Sequence, residues 1–464
     1  MNEERAIKLY DAITAVREDY IEDAFPGEKV RRRIPRRTFA AIAACLCLIL
    51  GGGIYLIRTS GGTGLARRDR VPGEAYMSYA GPIMPLTAEG EHGDLTLTRK
   101  LELDLADFPE KQTCRVTDAY TLRNAGAGAE TVTLLYPFAE SLLADPELIR
   151  SLTVNGEAAA PELTIGSSIP EVRAEWTKYL TPLQTGSLTL PDPSPLLSRP
   201  VTVYELRDCW AEESDDGANP TLSLEFTMGR ERSAVLSWRF NGGSDDSASG
   251  QYSRMRSFRE APGQSAYLIV LGEDIHDPVL RAYRDGACET PTEKAGGTVL
   301  RWESTLGEML ALCCRDMQSW QPESTLEKQF SDAELAAACT AFAMEQGYFA
   351  LRPYTAVRNF MLEDILLPFR AWRRILLLRF TVTVPAGESL EIVVETVKEA
   401  SFDYGAGAGS MMGFDALALP AGAPPAEEET VTLRLPEGVV CRGQDLTPAE
   451  GKYRYWLDVQ RKWK

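Results

Sequence analysis

Histidine is almost absent from this chain, which has only His92 and His276 among its 464 residues. A serine hydrolase needs a nucleophile, a base and an acid that orients the base, yet the sequence contains no G-x-S-x-G motif. His276, inside the acidic run Glu273–Asp277, is the better acid–base candidate, although a surface histidine explains this context more simply. A glycosidase needs only two carboxylates, and the acidic residues neither support nor exclude one. We therefore predict that the protein is not an enzyme.

Other signatures of bound groups are missing as well. The sequence has no C-x-x-C pair, phosphate-binding loop, dinucleotide fingerprint or D-x-D-x-D-G calcium loop. The acidic segments 212–220 and 241–250 lack the regular spacing of calcium ligands, so we predict that both are solvated loops, with calcium binding as the alternative. We predict no cofactor and no metal.

The cysteines do not form the pattern of a disulfide framework. Cys45 and Cys47 lie in a hydrophobic run, and the other seven are scattered over more than three hundred residues. The vicinal Cys313–Cys314 pair is poorly placed for a mutual bond. We expect most of these cysteines to be buried small hydrophobic residues. One or two long-range bridges are the alternative in an oxidising compartment.

Basic residues are concentrated at the start of the chain. Residues 1–37 hold nine of the 49 lysines and arginines and eight of the 67 acidic residues, which leaves a formal net charge of −19 on the rest. A surface this acidic repels nucleic acid. We predict no nucleic-acid partner.

The uncharged run 38–57 is long enough to span a bilayer as a helix. Basic residues are more numerous before it than after it, so the positive-inside rule places residues 1–37 in the cytoplasm and the bulk of the chain outside. A cleaved signal peptide would have a shorter start. The lipobox-like Ile42-Ala43-Ala44-Cys45 is followed by further apolar residues, which a cleaved lipoprotein signal does not need. We predict a single-pass protein of the cell membrane whose first partner is the lipid bilayer.

Residues 1–37 are predicted to form an amphipathic helix followed by a basic juxtamembrane segment. Apolar side chains recur at helical spacing at Leu9, Ile13, Val16 and Tyr20. This face is our candidate partner-binding site for a cytosolic regulator. The alternative is a solvated, partly frayed tail.

Two short segments of this region, Leu9-Tyr10-Asp11-Ala12-Ile13 and Asp19-Tyr20-Ile21-Glu22-Asp23-Ala24, precede a basic cluster and one span. Together they resemble the N-terminus of uncharacterised single-pass membrane proteins of Gram-positive bacteria, some of which are described as anti-sigma-factor-like. The resemblance covers about the first sixty residues and implies that the helix binds a sigma factor. Residues 1–37 contain no His or Cys, so the zinc-binding pattern of anti-sigma factors is absent.

Alternating apolar and polar residues after the span predict a mainly β region of β-sandwich-like modules. The capping-box sequence Ser331-Asp-Ala-Glu334 predicts a helix that ends at Gly347, and a second helix is expected over Val357–Trp372, interrupted by Pro368. The predicted organisation is a cytoplasmic segment 1–37, a transmembrane helix 38–57, a stalk 58–91, a β-rich extracytoplasmic module 92–305, a helical insertion 306–374 and a C-terminal β module 375–464.

Two pairs of strands predict antiparallel hairpins. Residues 114–122 and 131–136 flank a turn of small residues, and residues 375–384 and 390–397 flank the turn Pro385–Glu388. The segments Tyr120-Thr-Leu-Arg-Asn124 and Val132-Thr-Leu-Leu-Tyr136-Pro137-Phe138 resemble the early strands of immunoglobulin-like or vault/inter-alpha-trypsin-like sandwiches over about thirty residues. A further turn is predicted at Asn155-Gly156.

Aromatic residues and arginines cluster around the predicted insertion. As a ligand groove they would supply aromatic anchors and arginine clamps. As a core they would pack the insertion itself, which is the interpretation we favour. The residues are Trp320, Tyr348, Tyr354, Phe360, Phe369 and Trp372, with Arg352, Arg358, Arg370, Arg373 and Arg374.

These observations predict a bitopic membrane protein with a β-rich extracytoplasmic sensing or binding region and an anti-sigma-like cytoplasmic helix. The alternative is a membrane-anchored adhesion or envelope-organising module with no cytoplasmic partner. In both cases we expect the outer ligand to be an envelope protein or a glycan.

Overall fold

The structure is a computed structural model. It describes residues 79–90, 92–169, 190–212, 217–228, 233–246, 249–257, 264–320, 324–348, 357–403, 411–419, 424, 426–437, 440–445 and 452–458. The predicted span 38–57 and the candidate helix face at Leu9, Ile13, Val16 and Tyr20 lie outside these residues. Among the helices that the structure describes, none is long and apolar enough to cross a membrane.

β-Strands dominate the described chain, which confirms the predicted mainly β character. The strands are β1 Thr87–Ala88, β2 Leu95–Asp104, β3 Thr113–Asn124, β4 Glu130–Glu140, β5 Ile149–Val154, β6 Glu157–Ala158, β7 Glu162–Ser168, β8 Pro200–Ala211, β9 Thr221–Thr227, β10 Ser233–Trp238, β11 Gly242–Asp246, β12 Gln251–Ser257, β13 Ala266–Leu271, β14 His276–Tyr283, β15 Ala295–Thr305, β16 Val357–Met361, β17 Arg374–Val384, β18 Ser389–Glu399, β19 Ser401–Asp403, β20 Met411–Leu417, β21 Ala426–Arg434, β22 Val440–Asp445 and β23 Lys452–Asp458. The α-helices are α1 Phe108–Lys111, α2 Ser194–Leu197, α3 Leu306–Gln318, α4 Asp332–Glu345 and α5 Glu363–Ala371, with 3₁₀ turns at Pro146–Leu148 and Leu326–Gln329.

The strands that the structure describes form five sheets. Sheet I has the order β21-β2-β3-β18-β5-β6, sheet II β1-β4-β17-β7, sheet III β15-β8-β13-β10-β16, sheet IV β11-β12-β9-β14 and sheet V β19-β20-β23-β22. Sheets I and II share one apolar core, which continues to the helices α3–α5 and to one face of sheet III. The other face of sheet III packs against sheet IV around a second core. Sheet III is therefore covered on both faces, whereas sheet IV has one face outside this core.

Both predicted long hairpins are wrong, although their strands are present. β3 belongs to sheet I and β4 to sheet II, and β17 and β18 are divided between the sheets in the same way. Each connection therefore crosses from one sheet to the other. Asn124 connects the two crossing segments by hydrogen bonds. Its side-chain Nδ2 donates to the carbonyl of Val384, and its backbone carbonyl accepts from the amide of Gly387. Alternation of side chains predicts a strand, but not which strand it pairs with.

The predicted helix after Ser331 is confirmed as α4. The Ser331 side chain caps the amide of Glu334, and the Glu334 side chain returns to the amide of Ser331. The second predicted helix is correct only in its second half, because Val357–Met361 pairs in parallel with β10 as β16. α5 follows and contains Pro368. The sheet partner supplies backbone hydrogen bonds to residues 357–361, which overrides the local helical preference.

Residues from both predicted β modules share sheets. β18 pairs with β3 along its full length, and β17 does the same with β4. Of the predicted stalk 58–91, the structure describes residues 79–90, and there Tyr79 and Leu86 are buried. Tyr79 also donates its hydroxyl to Asp415 at 2.7 Å, so this end of the stalk packs into the β structure.

Candidate functional site

The outer face of sheet IV carries a groove lined mainly by polar side chains. Along the central strand β9, Leu222, Leu224 and Phe226 point into the core shared with sheet III. Successive side chains of a strand point to opposite faces, so Ser223 and Glu225 point outward. The same period places polar side chains outward on the neighbouring strands β12 and β11.

Strand register assembles these side chains into a grid. Reading across β11, β12, β9 and β14, one row is Asp246, Gln251, Thr227 and His276, the next is Ser244, Ser253, Glu225 and Val279, and the third is Gly242, Met255, Ser223 and Arg281. Neighbouring positions across a sheet lie about 5 Å apart. The face therefore presents hydroxyls, an amide and carboxylates at regular spacing.

Most of these side chains line a groove of ≈ 500 Å³. That volume lies within the range of ordinary small-molecule sites, roughly 300–1,000 Å³. The turn after β14 lies at one end, where Cys288 takes the left-handed conformation with φ 52°. Its Sγ lies 3.1 Å from the Sδ of Met255. Burial raises the pKa of the Cys288 thiol, which keeps it protonated at neutral pH.

Glu225 lies at the centre of the groove and is held by two neighbours on β14. The Tyr283 hydroxyl donates to Glu225 Oε1 at 2.7 Å, and Arg281 Nε lies 3.0 Å from Oε2. The hydrogen bond to Glu225, followed by burial, raises the pKa of Tyr283. Both carboxylate oxygens thus already have protein donors. This arrangement orients a hydrogen-bonding group for binding and does not supply a nucleophile paired with a base.

The two histidines do not enter such a pair either. His92 is held by Glu130 and by the carbonyl of Glu89, at 2.7 and 2.6 Å. His276 is exposed at the edge of sheet IV, with its Nε2 3.4 Å from Glu273. Its contacts are those of a surface histidine.

A second cavity, of ≈ 520 Å³, lies beside the ends of β4 and β18. Its lining includes Arg373, whose Nη2 donates to Glu399 at 2.7 Å and whose Nε is 3.8 Å from Glu140. Its other arginine, Arg150, pairs with Glu147 at 3.8 Å. Both arginines of this cavity are therefore paired with carboxylates, and the cavity lacks the regular grid of neutral hydrogen-bonding groups found on sheet IV.

Three members of the aromatic and arginine cluster, Phe369, Arg370 and Arg374, belong to the core, whereas Trp320 and Trp372 are each 45% exposed. Phe369 and Arg370 are buried, and Arg370 forms a bidentate pair with Glu327. Trp372 packs edge-on against Phe342 at 5.7 Å. Arg352 and Tyr354 lie outside the described residues, as do the side chains of Arg358 and Phe360.

Six cysteines have side chains that the structure describes. All six are free and most are buried, as predicted: Cys114, Cys209, Cys288, Cys313, Cys314 and Cys339. Burial raises the pKa of Cys339 to about 12 and that of Cys313 well above its ordinary value. These thiols are therefore inert at neutral pH. Within the described ranges, no cluster of three or more His, Cys, Asp or Glu side chains could hold a metal ion.

The groove could not be predicted from the sequence as long as its edge strand was interpreted as a loop. Residues 241–250 were expected to be solvated, but Gly242–Asp246 forms β11 and pairs with β12. Strand pairing supplies the backbone partners that this glycine-containing segment lacks locally. The alternation in Ser223-Leu224-Glu225-Phe226-Thr227 was a usable signal for a polar outer face.

No protein-family model, curated protein or solved structure matches this chain.

Proposed function

We propose that this protein is a single-pass membrane protein whose β-rich extracytoplasmic region binds a ligand in the groove on sheet IV. The observation that carries the proposal is the outward grid around Glu225, whose side chains are positioned by strand register. A groove of ≈ 500 Å³ with regularly spaced donors and acceptors suits recognition. The engaged state of Glu225 favours binding over catalysis.

The sheets support a finer assignment of the fold. Sheets I and II enclose one core, and sheets III and IV enclose another. We propose that each pair is a β-sandwich-like module, and that the outer region is joined to the cell membrane through the span 38–57. The apolar length of that run and the basic residues before it support this topology.

The cytoplasmic part of the proposal rests on the sequence pattern of residues 1–37. The apolar face of Leu9, Ile13, Val16 and Tyr20 suits a helix that packs on a cytosolic regulator, in an anti-sigma-like manner. The alternative function is an adhesion or envelope-organising module whose N-terminus serves only as an anchor. The two functions share the groove and differ in the need for a cytosolic partner.

A capture experiment tests the groove. Full-length protein in detergent is mixed with a cell-envelope fraction, and bound material is identified for the wild type and for Ser253→Tyr, which fills the groove between β9 and β11. Thr383→Tyr is the matched control, because Thr383 is exposed on sheet II, away from sheet IV. We expect Ser253→Tyr alone to lose the envelope ligand. Equal capture by both variants would refute a ligand site in the groove.

The same experiment separates the two functions. A variant with Ile13→Ser, Val16→Ser and Tyr20→Ser removes the apolar face of the predicted helix. Loss of a cytosolic regulator in this variant, with the envelope ligand retained, supports transmembrane signalling. If the set of cytosolic proteins is unchanged, the N-terminus is an anchor and the adhesion alternative holds.

A further inference from the structure

The chemistry of the sheet IV groove narrows the class of its ligand. Around Glu225 the groove presents the hydroxyls of Ser253 and Thr227 and the amide of Gln251, and the buried Ser223 lies beneath them. Hydroxyls and amides both donate and accept hydrogen bonds. A polyol presents the same dual groups along its length, so this lining matches a sugar better than it matches a ligand with a single charge.

A protein ligand fits the groove less well. Protein interfaces are built around buried aromatic or large apolar anchors, and the one large, exposed apolar side chain in the groove is Val279, which is 44% exposed. Tyr283 does not serve as a free anchor, because its hydroxyl is bound to Glu225. Addition of a peptide strand is also disfavoured, since β14 carries Pro278 at one edge of the sheet and β11 carries acidic residues at the other.

The charged side chains of the groove indicate whether its sugar ligand is neutral or anionic. Its acidic side chains are Glu225, Asp246 and Asp277, and its basic side chain is Arg281, which is paired with Glu225. Anionic sugars would meet a lining in which acidic side chains outnumber the single basic one, and that arginine is already paired with Glu225. We propose that the groove on sheet IV binds a neutral glycan. This inference rests on the proposed function and specifies its ligand.

The binding test uses full-length protein in detergent and a printed array of oligosaccharides. The probes are neutral hexose and N-acetylhexosamine oligomers, together with uronic-acid oligomers as the anionic set. We expect binding to neutral probes, with little or no binding to the anionic set. Calorimetry with the best neutral probe should then show affinity about tenfold weaker for Glu225→Gln and for Ser253→Ala, each of which changes one hydrogen-bonding group.

Two variants and one control keep the result interpretable. Ser253→Ala retains the backbone pairing of β12, so it provides a second measurement if Glu225→Gln disturbs the sheet. Arg434→Gln is the control, because it breaks an exposed ion pair with Glu102 on sheet I and should leave glycan affinity unchanged. Preference for anionic probes, binding of no neutral probe, or neutral binding that both groove variants retain would overturn the proposal.

Failure of this inference can be distinguished from failure of the proposed function. The envelope fraction is treated with periodate, which cleaves the vicinal diols of sugars, or with a protease, and is quenched before capture. Loss of groove-dependent capture after periodate alone supports a glycan. Loss after protease alone means that the groove binds a protein, which refutes the glycan and keeps the groove. Capture that never depends on Ser253→Tyr refutes the proposed function itself.

Discussion

Two buried arginines, one between the sheets and one beside the helices, are accommodated in different ways. Arg99 on β2 donates from Nε and Nη2 to the two oxygens of Asp118, at 2.8 and 2.7 Å, and reaches Glu429 at 3.0 Å. Arg374, at the start of β17, has no carboxylate within ion-pair distance among the described residues. Its guanidinium lies 4.5 Å from the centre of the Phe369 ring and donates to the carbonyl of that residue.

The direction of the pKa separates the two environments. Burial lowers the pKa of Arg374 to about 10. Burial also acts to lower the pKa of Arg99, but Asp118, Tyr120 and Glu429 together outweigh burial, and the pKa of Arg99 lies above its ordinary value. Removal of a buried cation that is paired with carboxylates leaves those carboxylates buried without a counter-charge. Removal of a buried cation that is held by aromatic rings leaves no buried charge.

The largest effect is expected for Arg99→Met. The change leaves Asp118 buried without its cation and removes the donor to the carbonyl of Leu417, so the free energy of unfolding should fall by about 3–5 kcal/mol. Chemical denaturation of the full-length protein in detergent measures it. Arg434→Gln, which breaks an exposed pair, should cost less than about 1 kcal/mol. Equal losses in the two variants would contradict the role assigned to burial.

Lys398 is expected to have an intermediate effect on the free energy of unfolding, and this effect should depend on pH. Its Nζ donates to the carbonyls of Ala80 and Ala139, and burial lowers its pKa from 10.5 to about 8. Between these two values the unfolded chain binds more protons than the folded chain, so this contribution to stability rises with pH from about 8 to 10.5. Below about pH 8 Lys398 is protonated in both the folded and the unfolded chain, so the gain in stability is absent and the full cost of burying the charge applies.

The variant Lys398→Met isolates that contribution from the tyrosines and cysteines that titrate in the same range. The stability of the wild type relative to the variant should increase by about 3 kcal/mol between pH 7.5 and pH 10.5. Denaturation curves at four pH values give the difference. A difference that stays constant with pH would show that Lys398 keeps its ordinary pKa in the folded protein.

The smallest effect is expected for Arg374→Met. The change removes a cation–π contact worth about 1–2 kcal/mol but also removes the cost of burying the charge. It leaves no carboxylate without a partner, so the free energy of unfolding should change by only about 1 kcal/mol. The same denaturation assay measures it beside Arg99→Met. A loss as large as that of Arg99→Met would remove the distinction between the two sites.

Local sequence chemistry predicted several elements well. The Ser331–Glu334 capping box begins α4, and Asn155 and Gly156 both take left-handed conformations in the turn between β5 and β6. These features depend on residues within a few positions of one another. The pairing of long strands does not, which is why the connections after β3 and β17 were mistaken for hairpins.

The candidate site was harder to predict from the sequence than these local elements. The outward polar positions of β9 follow from alternation, but the groove needs four strands brought into register, including β11 from a segment predicted to be a loop. Arg99 shows the same limit. It occupies a position that alternation assigns to the core, and only Asp118 and Glu429, from two other strands, make its burial tolerable.

The sequence by itself determined the strand-rich character of the described chain, the capped helix α4 and the net negative charge. Each follows from composition or from spacing along the chain. Only the tertiary structure decided which strands pair, which charges are buried together and where a groove forms. Those features join residues as far apart as Arg99 and Glu429, and their energies depend on distances and burial that exist only after the chain has folded.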